Sequence, residues 1–153
     1  MDEHRLGLHP ILKRVWAPRG ERPQIAVYPR YEWLYLYGFV QPSTGKTDWF
    51  IMSHLNTKTF SAVLESFAKS TDKHILLVMD RASWHTSSNL VIPSNMTIIH
   101  QPSYSPEVQP AEHLWQFTDK PLINSCPDSV DHLEQTLSEQ CQYLKSNPDM
   151  INN

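Results

Sequence analysis

Three acidic residues are the first candidates for chemistry in this chain. Glu112 lies at the predicted start of a helix, Asp80 ends a short apolar run, and Asp2 is the second residue of the chain. Carboxylate oxygens suit Mg²⁺, a hard ion that takes few protein ligands and keeps several waters. Two such ions about 3.5–4 Å apart cleave phosphodiesters, because one activates the attacking oxygen and the other stabilises the leaving oxygen. The three residues are therefore candidates for metal-dependent phosphodiester chemistry.

The segment before Glu112 is stiffened by three prolines, Pro102, Pro106 and Pro110. Pro110 suits the first turn of a helix, where its missing N–H costs nothing, so Glu112 is predicted to lie in that first turn. Trp115, three residues further on, is placed to anchor the helix in a core. The alternative is that Glu112 is simply an acid that the helix dipole favours at an N-terminus.

Asp80 ends the run of residues 74–80, whose apolar character predicts a strand buried on both faces. Ligands bind beyond the carboxyl ends of strands in open α/β sheets, which places Asp80 at a candidate site. The alternative is that Asp80 only caps the turn after the strand. Asp2 is the weakest candidate, because an acid at a chain terminus is usually solvated, and its neighbour Glu3 is an alternative to it. His85, in the loop after Asp80, is interpreted either as facing a nucleic acid or supporting the site, or as a plain surface or capping residue.

Three motifs of this chain resemble those of the DDE transposases, in the mariner-like superfamily and its bacterial insertion-sequence relatives. They are the pair Asp2-Glu3, the triplet Asp80-Arg81-Ala82 followed by His85, and residues 102–115. The third motif is specific, since most of its positions agree in type and order, whereas the acidic pair alone would carry no information. The resemblance extends through nearly the whole chain.

The resemblance implies an α/β fold of the RNase H-like type, a mixed sheet flanked by helices. In that fold Asp2, Asp80 and Glu112 would be the catalytic residues and the ligands of Mg²⁺ or Mn²⁺, with Asp80 bridging two ions. The implied reaction is DNA strand cleavage at the end of an insertion element, then strand transfer by the freed 3′-hydroxyl. The implied partners are transposon ends, target DNA and a second copy of the chain. A bacterial, cytoplasmic protein that joins the nucleoid when bound to DNA is also implied.

The chain departs from the family pattern at three points. Arg81 and Gln109 stand where the family usually has Asn. The family's first strand should precede Asp2, and its helix-turn-helix region is not visible. We therefore expect residues 1–153 to be a single endonuclease domain, N-terminally truncated, with its first strand missing and a separate N-terminal segment that binds DNA. The departures also motivate an alternative, a catalytically inactive remnant that acts at most as a folding or DNA-associated module.

The composition agrees with one domain of 153 residues, since a hydrophobic content of 40% and five tryptophans suffice for a core. The net charge of −3 argues against strong autonomous DNA binding, because phosphate neutralisation dominates such affinity. Cys126 and Cys141 form no metal-ligand pattern and are predicted to be free thiols. No apolar run has the length of a membrane span and no signal peptide is visible, so we expect an intracellular protein without membrane contact.

Hydrophobic periodicity predicts the elements of the central region. A hairpin, an amphipathic helix capped by Asn56 or Thr57, and two short buried strands follow one another. The four strands of this region cover residues 33–40, 47–52, 74–79 and 95–100. Together with two later helices, they match the RNase H-like arrangement.

The two ends of the chain show weaker patterns. Residues 1–30 are interpreted as a loop with one short strand near residues 24–27, while the last helix is predicted to start at Pro127 and the tail to fray from Ser146. The front segment is basic, which indicates either phosphate contacts or a solvated loop; its arginines are Arg14, Arg19, Arg22 and Arg30.

Two further functions are weaker alternatives. An RNase H-like nuclease acting on RNA–DNA hybrids would use the same acids. A zinc site would draw on His85, His100 and His113, but no close pair of ligands in the sequence supports it.

Overall fold

The computed structural model describes residues 1–25, 27, 30–102, 105 and 108–152. Within these ranges the chain forms five β-strands and three α-helices. The strands are β1 (Asp2–Gly7), β2 (Trp33–Gln41), β3 (Lys46–Met52), β4 (Ile75–Met79) and β5 (Met96–His100). The helices are α1 (Thr57–Ala68), α2 (Glu112–Thr118) and α3 (Val130–Ser146), with 3₁₀ turns at Lys120–Leu122 and Pro148–Met150.

The first three strands form an antiparallel sheet in the order β1–β2–β3. Asp2, at the start of β1, lies opposite Gly38 of β2. The strands β2 and β3 form a hairpin that closes at the pair Gln41 and Lys46. Its turn contains Gly45, whose φ of +67° lies in the left-handed region that favours glycine. The predicted hairpin is therefore confirmed.

The strands β4 and β5 form a second, parallel pair. One hydrogen bond joins it to the first sheet, because the amino group of Met1 donates to the carbonyl oxygen of Val78 at 2.8 Å. This contact places the start of β1 beside the carboxyl end of β4. As a result, Asp2 and Asp80 lie in the same region of the molecule.

The core has two clusters because alternate residues of β2 point to opposite faces of the sheet. Tyr37 and Phe39 pack with the buried residues of α1, which are Phe60, Val63, Leu64 and Ala68. Leu34 and Leu36 pack with the buried residues of α3, including Leu133, Leu137 and Cys141. The predicted amphipathic character of α1 is confirmed.

The strand β4 is buried on one face only, so the prediction of burial on both faces is wrong. Leu77 and Met79 are buried in the cluster that contains α1, whereas Leu76 and Val78 are 62% and 38% exposed. Burial therefore alternates along β4 because α1 covers only one of its faces.

The strand β1 lies where a loop after a missing first strand was expected, so the loop prediction is wrong for residues 2–7. Four polar residues open this strand, Asp2 to Arg5, and their pattern has no apolar periodicity to identify it. Pairing with β2 makes the strand instead. The short strand expected near residues 24–27 is not formed by Gln24, Ile25 or Val27, and Ala26 lies outside the described residues.

Side-chain caps set the starts of the longer helices. The Asn56 side chain accepts a hydrogen bond from the Thr59 amide at 2.9 Å, which confirms the predicted cap of α1. The Ser129 side chain accepts one from the His132 amide at 3.1 Å, so α3 begins three residues after Pro127, the predicted start. The tail was expected to fray from Ser146, but the 3₁₀ turn Pro148–Met150 follows it.

None of the helices that the structure describes combines the length and the apolar character needed to cross a membrane.

Candidate active site

Asp80 directly follows β4, and its two carboxylate oxygens have different surroundings. The Oδ1 atom accepts a hydrogen bond from the amide of Ala82 at 3.0 Å and lies 2.6 Å from Nδ1 of His85. The Oδ2 atom accepts no hydrogen bond from the described residues, and the side chain is 54% exposed. Asp80 therefore caps the turn after its strand with one oxygen and presents the other to solvent.

Asp2 lies on the face of β1 that looks toward α2. Its Oδ2 atom accepts a hydrogen bond from Nε1 of Trp115 at 3.1 Å. Burial raises the pKa of Asp2; the Trp115 hydrogen bond opposes this, while the negative charges of Glu3 and Asp80 add to it. The charge of Asp80 thus acts on Asp2, and the hydrogen bond from Met1 to Val78 places the two residues in the same region.

Glu112 is the first residue of α2, as predicted, and its side chain is exposed. Pro110 lies in the turn before the helix rather than inside it. No hydrogen bond or ion pair joins the Glu112 carboxylate to another described residue. Within the described ranges, no three side chains among His, Cys, Asp and Glu converge to hold a metal ion. The structure therefore brings Asp2 and Asp80 together and leaves Glu112 facing solvent at the end of its helix.

Trp115 anchors α2 to the sheet, as the sequence predicted. Its ring stacks on His4 with centroids 4.9 Å apart and meets Trp49 edge to face at 6.4 Å. This approach is possible because residue 38 is glycine: a Cβ on Gly38 would lie 3.0 Å from the Trp115 ring. Gly38 also lies opposite Asp2, so the same position of β2 accommodates both the acid and its aromatic partner.

Gln109, one of the departures from the family pattern, ties the segment before α2 to β1. Its buried side chain donates from Nε2 to the carbonyl oxygen of Met1 at 2.9 Å and accepts from Nε2 of Gln101 at 3.2 Å. Arg81, another departure, donates from Nε to the carbonyl oxygen of Gln101 at 3.2 Å. The remaining motif residues Ser103, Tyr104, Pro106 and Glu107 lie outside the described residues.

Glu3 and His85 form a buried pair that sequence reasoning did not identify. Oε1 of Glu3 lies 2.7 Å from Nε2 of His85 and accepts a hydrogen bond from Nε1 of Trp84 at 3.2 Å. The side chains of Glu3 and His85 are 7% and 1% exposed. Since neighbouring residues of a strand point to opposite faces, Glu3 faces away from Asp2. Recognising β1 as a strand would have shown this separation.

His85 links two carboxylates through its two ring nitrogens, Nδ1 to Asp80 and Nε2 to Glu3. Burial by itself lowers the pKa of His85, but the hydrogen bond and charge of Glu3, together with Asp80, outweigh it, so the pKa is raised. Both nitrogens donate in the doubly protonated ring. This explains how His85 and Glu3 remain buried together.

The chain matches a known protein family over most of its length. A family model described as the DDE superfamily endonuclease covers residues 1–134. The chain belongs to this family. The resemblance inferred from the three motifs is therefore confirmed, and the DDE family model includes all three acids, Asp2, Asp80 and Glu112.

Two curated relatives of this DDE family member are similar in sequence. One is the uncharacterized protein y4pE/y4sA of Sinorhizobium fredii (strain NBRC 101917 / NGR234), 34% identical over 87 residues, which are 56% of this chain and 64% of that protein. The other is the insertion element IS630 uncharacterized 39 kDa protein of Shigella sonnei, 30% identical over 122 residues, which are 75% of this chain and 35% of that protein. The matches thus span less than two thirds of each relative.

Solved structures of the Mos1 transposase share the fold of this DDE domain. The Mos1 mariner paired-end complex with Mn has a TM-score of 0.65 at 14% identity, covering 99% of this chain and 51% of that chain. The Mos1 strand transfer complex has a TM-score of 0.64 at 14% identity, covering 97% and 50%. The predicted α/β fold of the RNase H-like type is confirmed by this likeness.

Proposed function

We propose that this chain is the catalytic domain of a transposase that cleaves DNA strands at the ends of an insertion element and transfers them to a target. The observation that carries the proposal is the half-exposed Asp80 carboxylate at the end of β4, close enough to Asp2 for its charge to act on that residue. The family supports endonuclease chemistry. The Shigella relative belongs to an insertion element, and the Mos1 structures include a complex with a transposon end.

We propose that Asp2, Asp80 and Glu112 would hold Mg²⁺ or Mn²⁺. The donor chemistry fits, because all three are carboxylates and hard divalent ions prefer oxygen ligands. When bound, the ions would activate the attacking oxygen and stabilise the leaving oxygen. The solved Mos1 complex with Mn supports this choice of cofactor. Glu112 must approach the other two for all three to act together, and at the exposed start of α2 no described residue competes for its carboxylate.

The protein's own residues prepare the site for a nucleic acid. Asp80 offers Oδ2 toward solvent while Oδ1 remains bound to Ala82 and His85. Asp2 is kept in place by Trp115 and by its strand. Burial removes hydration from the Asp2 carboxylate, and a bound cation can replace it. Burial therefore favours the binding of a cation at Asp2.

We propose DNA as the partner, contacted through the segment between β1 and β2. Arg14, Arg19 and Arg22 are exposed there, and Trp16 is fully exposed, at 104%. Such a segment concentrates positive charge in a chain whose net charge is −3. Phosphate contacts of this kind would position DNA without reading its sequence. A single endonuclease domain of residues 1–153, assembly as a homodimer, and a separate N-terminal DNA-binding segment remain parts of the same proposal.

The test is nicking of supercoiled plasmid by the purified chain in Mn²⁺, in Mg²⁺ and in EDTA. We expect nicking in either ion, none in EDTA, and loss of at least about 100-fold in Asp80→Asn, since a direct metal ligand should matter at least as much as the groups that orient one, whose loss costs about 10–100-fold. The matched control is Asp72→Asn, the same change at an exposed aspartate elsewhere.

Three results would contradict the proposal. Asp80→Asn could nick as fast as the wild-type chain, which would place the chemistry elsewhere. Alternatively, neither protein could nick while both remain folded, which would favour the inactive remnant. Faster cleavage of RNA–DNA hybrids than of duplex DNA would favour the hybrid nuclease.

A further inference from the structure

We propose that Glu3 and His85 are positioning residues that hold Asp80 in the orientation needed to bind a divalent cation. The carboxylate of Glu3 would anchor the imidazole of His85, and the imidazole would fix one oxygen of Asp80 so that the other faces the site. This inference rests on the proposed function, since it concerns the same aspartate. It assigns to Glu3 a role different from the metal ligand that the sequence offered as an alternative to Asp2.

The first support is the continuous path from β1 to Asp80. Glu3 lies in a strand whose backbone pairs with β2, opposite Tyr37. Its Oε1 atom lies 2.7 Å from Nε2 of His85, and Nδ1 of the same ring lies 2.6 Å from Oδ1 of Asp80. Glu3 and His85 are 82 positions apart in the chain, whereas Asp80 and His85 are 5 positions apart. A rigid strand therefore controls the side chain of a residue that sits in a loop.

The second support is the burial of the link. The side chains of Glu3 and His85 are 7% and 1% exposed, while that of Asp80 is 54% exposed. The His85 ring also packs on Phe60, with centroids 4.6 Å apart, and on Trp84 at 5.7 Å. An imidazole enclosed in this way has one orientation, so the position of its Nδ1 atom is fixed. Of the three side chains, only that of Asp80 reaches solvent.

The third support is that the two oxygens of the Asp80 carboxylate have different contacts. His85 and the Ala82 amide both contact Oδ1, and no described residue donates to Oδ2. Two contacts to one oxygen restrict rotation of the carboxylate about its last bond. The other oxygen is then pre-oriented, which lowers the entropy lost when a cation binds. Groups that orient a metal ligand typically change metal affinity or activity by about 10–100-fold when mutated.

Two substitutions of His85 separate positioning from mere stabilisation of the core. The side-chain amide nitrogen of asparagine occupies roughly the place of Nδ1, and that of glutamine roughly the place of Nε2. His85→Asn therefore keeps a hydrogen-bond donor for Asp80 but loses the hydrogen bond to Glu3. His85→Gln keeps the hydrogen bond to Glu3 but loses the one to Asp80. Glu3→Gln is a third variant, which preserves shape and removes only the charge of the anchor.

The measurements are Mn²⁺ affinity by electron paramagnetic resonance, thermal unfolding without metal, and the Mn²⁺ concentration for half-maximal nicking. We expect His85→Gln to weaken Mn²⁺ binding by about 10–100-fold, and more than His85→Asn does. We expect His85→Asn to lower the melting temperature more than His85→Gln does. It leaves the buried Glu3 unpaired, which is the larger cost to folding. Glu3→Gln should weaken Mn²⁺ binding about 10-fold.

The control variant removes a polar group beside Glu3 without touching Asp80. Tyr37 lies opposite Glu3 in β2, and Tyr37→Phe removes a buried hydroxyl that has no hydrogen-bond partner among the described residues. This variant should keep Mn²⁺ affinity within about 3-fold of the wild-type value, well short of the 10–100-fold expected for an orienting group.

The outcomes distinguish this inference from the proposed function. If Asp80→Asn abolishes nicking while His85→Gln and Glu3→Gln bind Mn²⁺ like the wild-type chain, the positioning role is overturned and the function stands. If Asp80→Asn nicks normally, the proposed function fails, and Mn²⁺ binding still decides the positioning role. If His85→Gln fails to fold, Glu3→Gln and His85→Asn decide: wild-type Mn²⁺ affinity in both would overturn the inference.

Discussion

The two oxygens of Asp80 illustrate how one side chain can cap a turn and still present an oxygen to solvent. Its Oδ1 atom belongs to the protein interior through Ala82 and His85, and its Oδ2 atom faces solvent. The choice offered by the sequence, a turn cap or a site residue, is therefore not exclusive. The cap is observed, and the same contact leaves the carboxylate ready for a ligand.

Asp2 is expected to reduce the stability of the folded chain at neutral pH. Burial raises its pKa above the ordinary value, which means that the folded state tolerates its charge poorly. Asp2→Asn removes that charge and still accepts the hydrogen bond from Trp115. We expect the melting temperature at pH 7 to rise by about 2–4 °C, as about 1 kcal/mol produces in a domain of this size. Scanning calorimetry of both proteins measures this difference.

The pH dependence of that difference has a definite sign. A carboxyl group with a raised pKa contributes stability that is fully present below the unfolded value, about 3.9, and is lost as the pH rises through the folded value. The advantage of Asp2→Asn should therefore shrink as the pH falls from 7 toward 4. Asp72→Asn, at an exposed position, should show no comparable gain. An equal or lower melting temperature for Asp2→Asn at pH 7 would contradict the argument.

At the residue scale, the sequence predicted the candidate acids better than their surroundings. Asp80 and Glu112 lie at the strand end and helix start inferred for them, because those positions depend on local patterns. The contact between Glu3 and His85 joins residues 82 positions apart. No local pattern records such a contact, so it emerges only when β1 and the loop after β4 are brought together.

At the element scale, the packing of α2 on the sheet depends on the absence of a side chain at Gly38 of β2. A Cβ there would lie 3.0 Å from Trp115, 3.1 Å from Trp49 and 3.2 Å from Leu114. We expect Gly38→Ala to destabilise the chain by about 1–3 kcal/mol through overpacking, as measured by urea unfolding. It should also impair nicking, because Trp115 holds α2 and contacts Asp2.

A second substitution tests whether Trp115 is the neighbour that matters. Trp115→Phe removes the ring atoms closest to the added methyl group. Gly38→Ala should therefore lower the free energy of unfolding less in that background than in the wild-type chain. Equal costs in the two backgrounds would mean that the strain lies with Trp49 or Leu114 instead.

The two thiols should react at very different rates because of the elements that carry them. Cys141 is buried on α3, and burial raises its pKa to about 12. Cys126 is partly exposed, and its Sγ contacts the carbonyl oxygen of Leu8 at 3.3 Å. We expect a thiol reagent to modify one cysteine in the folded chain and a second only after unfolding. Cys126→Ser should remove the fast reaction, and two fast equivalents in the wild-type chain would contradict this assignment.

Elements were predictable where hydrophobic periodicity was strong. The strands β2 and β3 and the helix α1 carry clear apolar patterns. Both strands begin and end within one residue of the predicted positions, and α1 begins at its predicted cap. The strand β1 was missed because its first four residues are polar and its pairing with β2 spans a long segment. The start of α3 was misplaced because Ser129, rather than Pro127, provides the cap.

At the scale of the whole molecule, the basic and acidic groups are unevenly distributed. Five of the 13 lysines and arginines lie between β1 and β2, namely Lys13, Arg14, Arg19, Arg22 and Arg30. The candidate carboxylates lie outside that segment. A net charge of −3 therefore does not describe the potential met by a phosphate backbone, because the positive charge is concentrated in one exposed segment.

The start of β1 is joined at two points, which flank Glu112, to α2 and to the segment just before it. Gln109 donates to the carbonyl oxygen of Met1, and Trp115 donates to the carboxylate of Asp2. Neither element can separate from the other without breaking both hydrogen bonds and exposing the buried Gln109. We therefore expect their backbone amides to open as one cooperative unit in hydrogen exchange, with a common free energy of opening. Any ligand that tightens around Asp2 would protect α2 to the same extent.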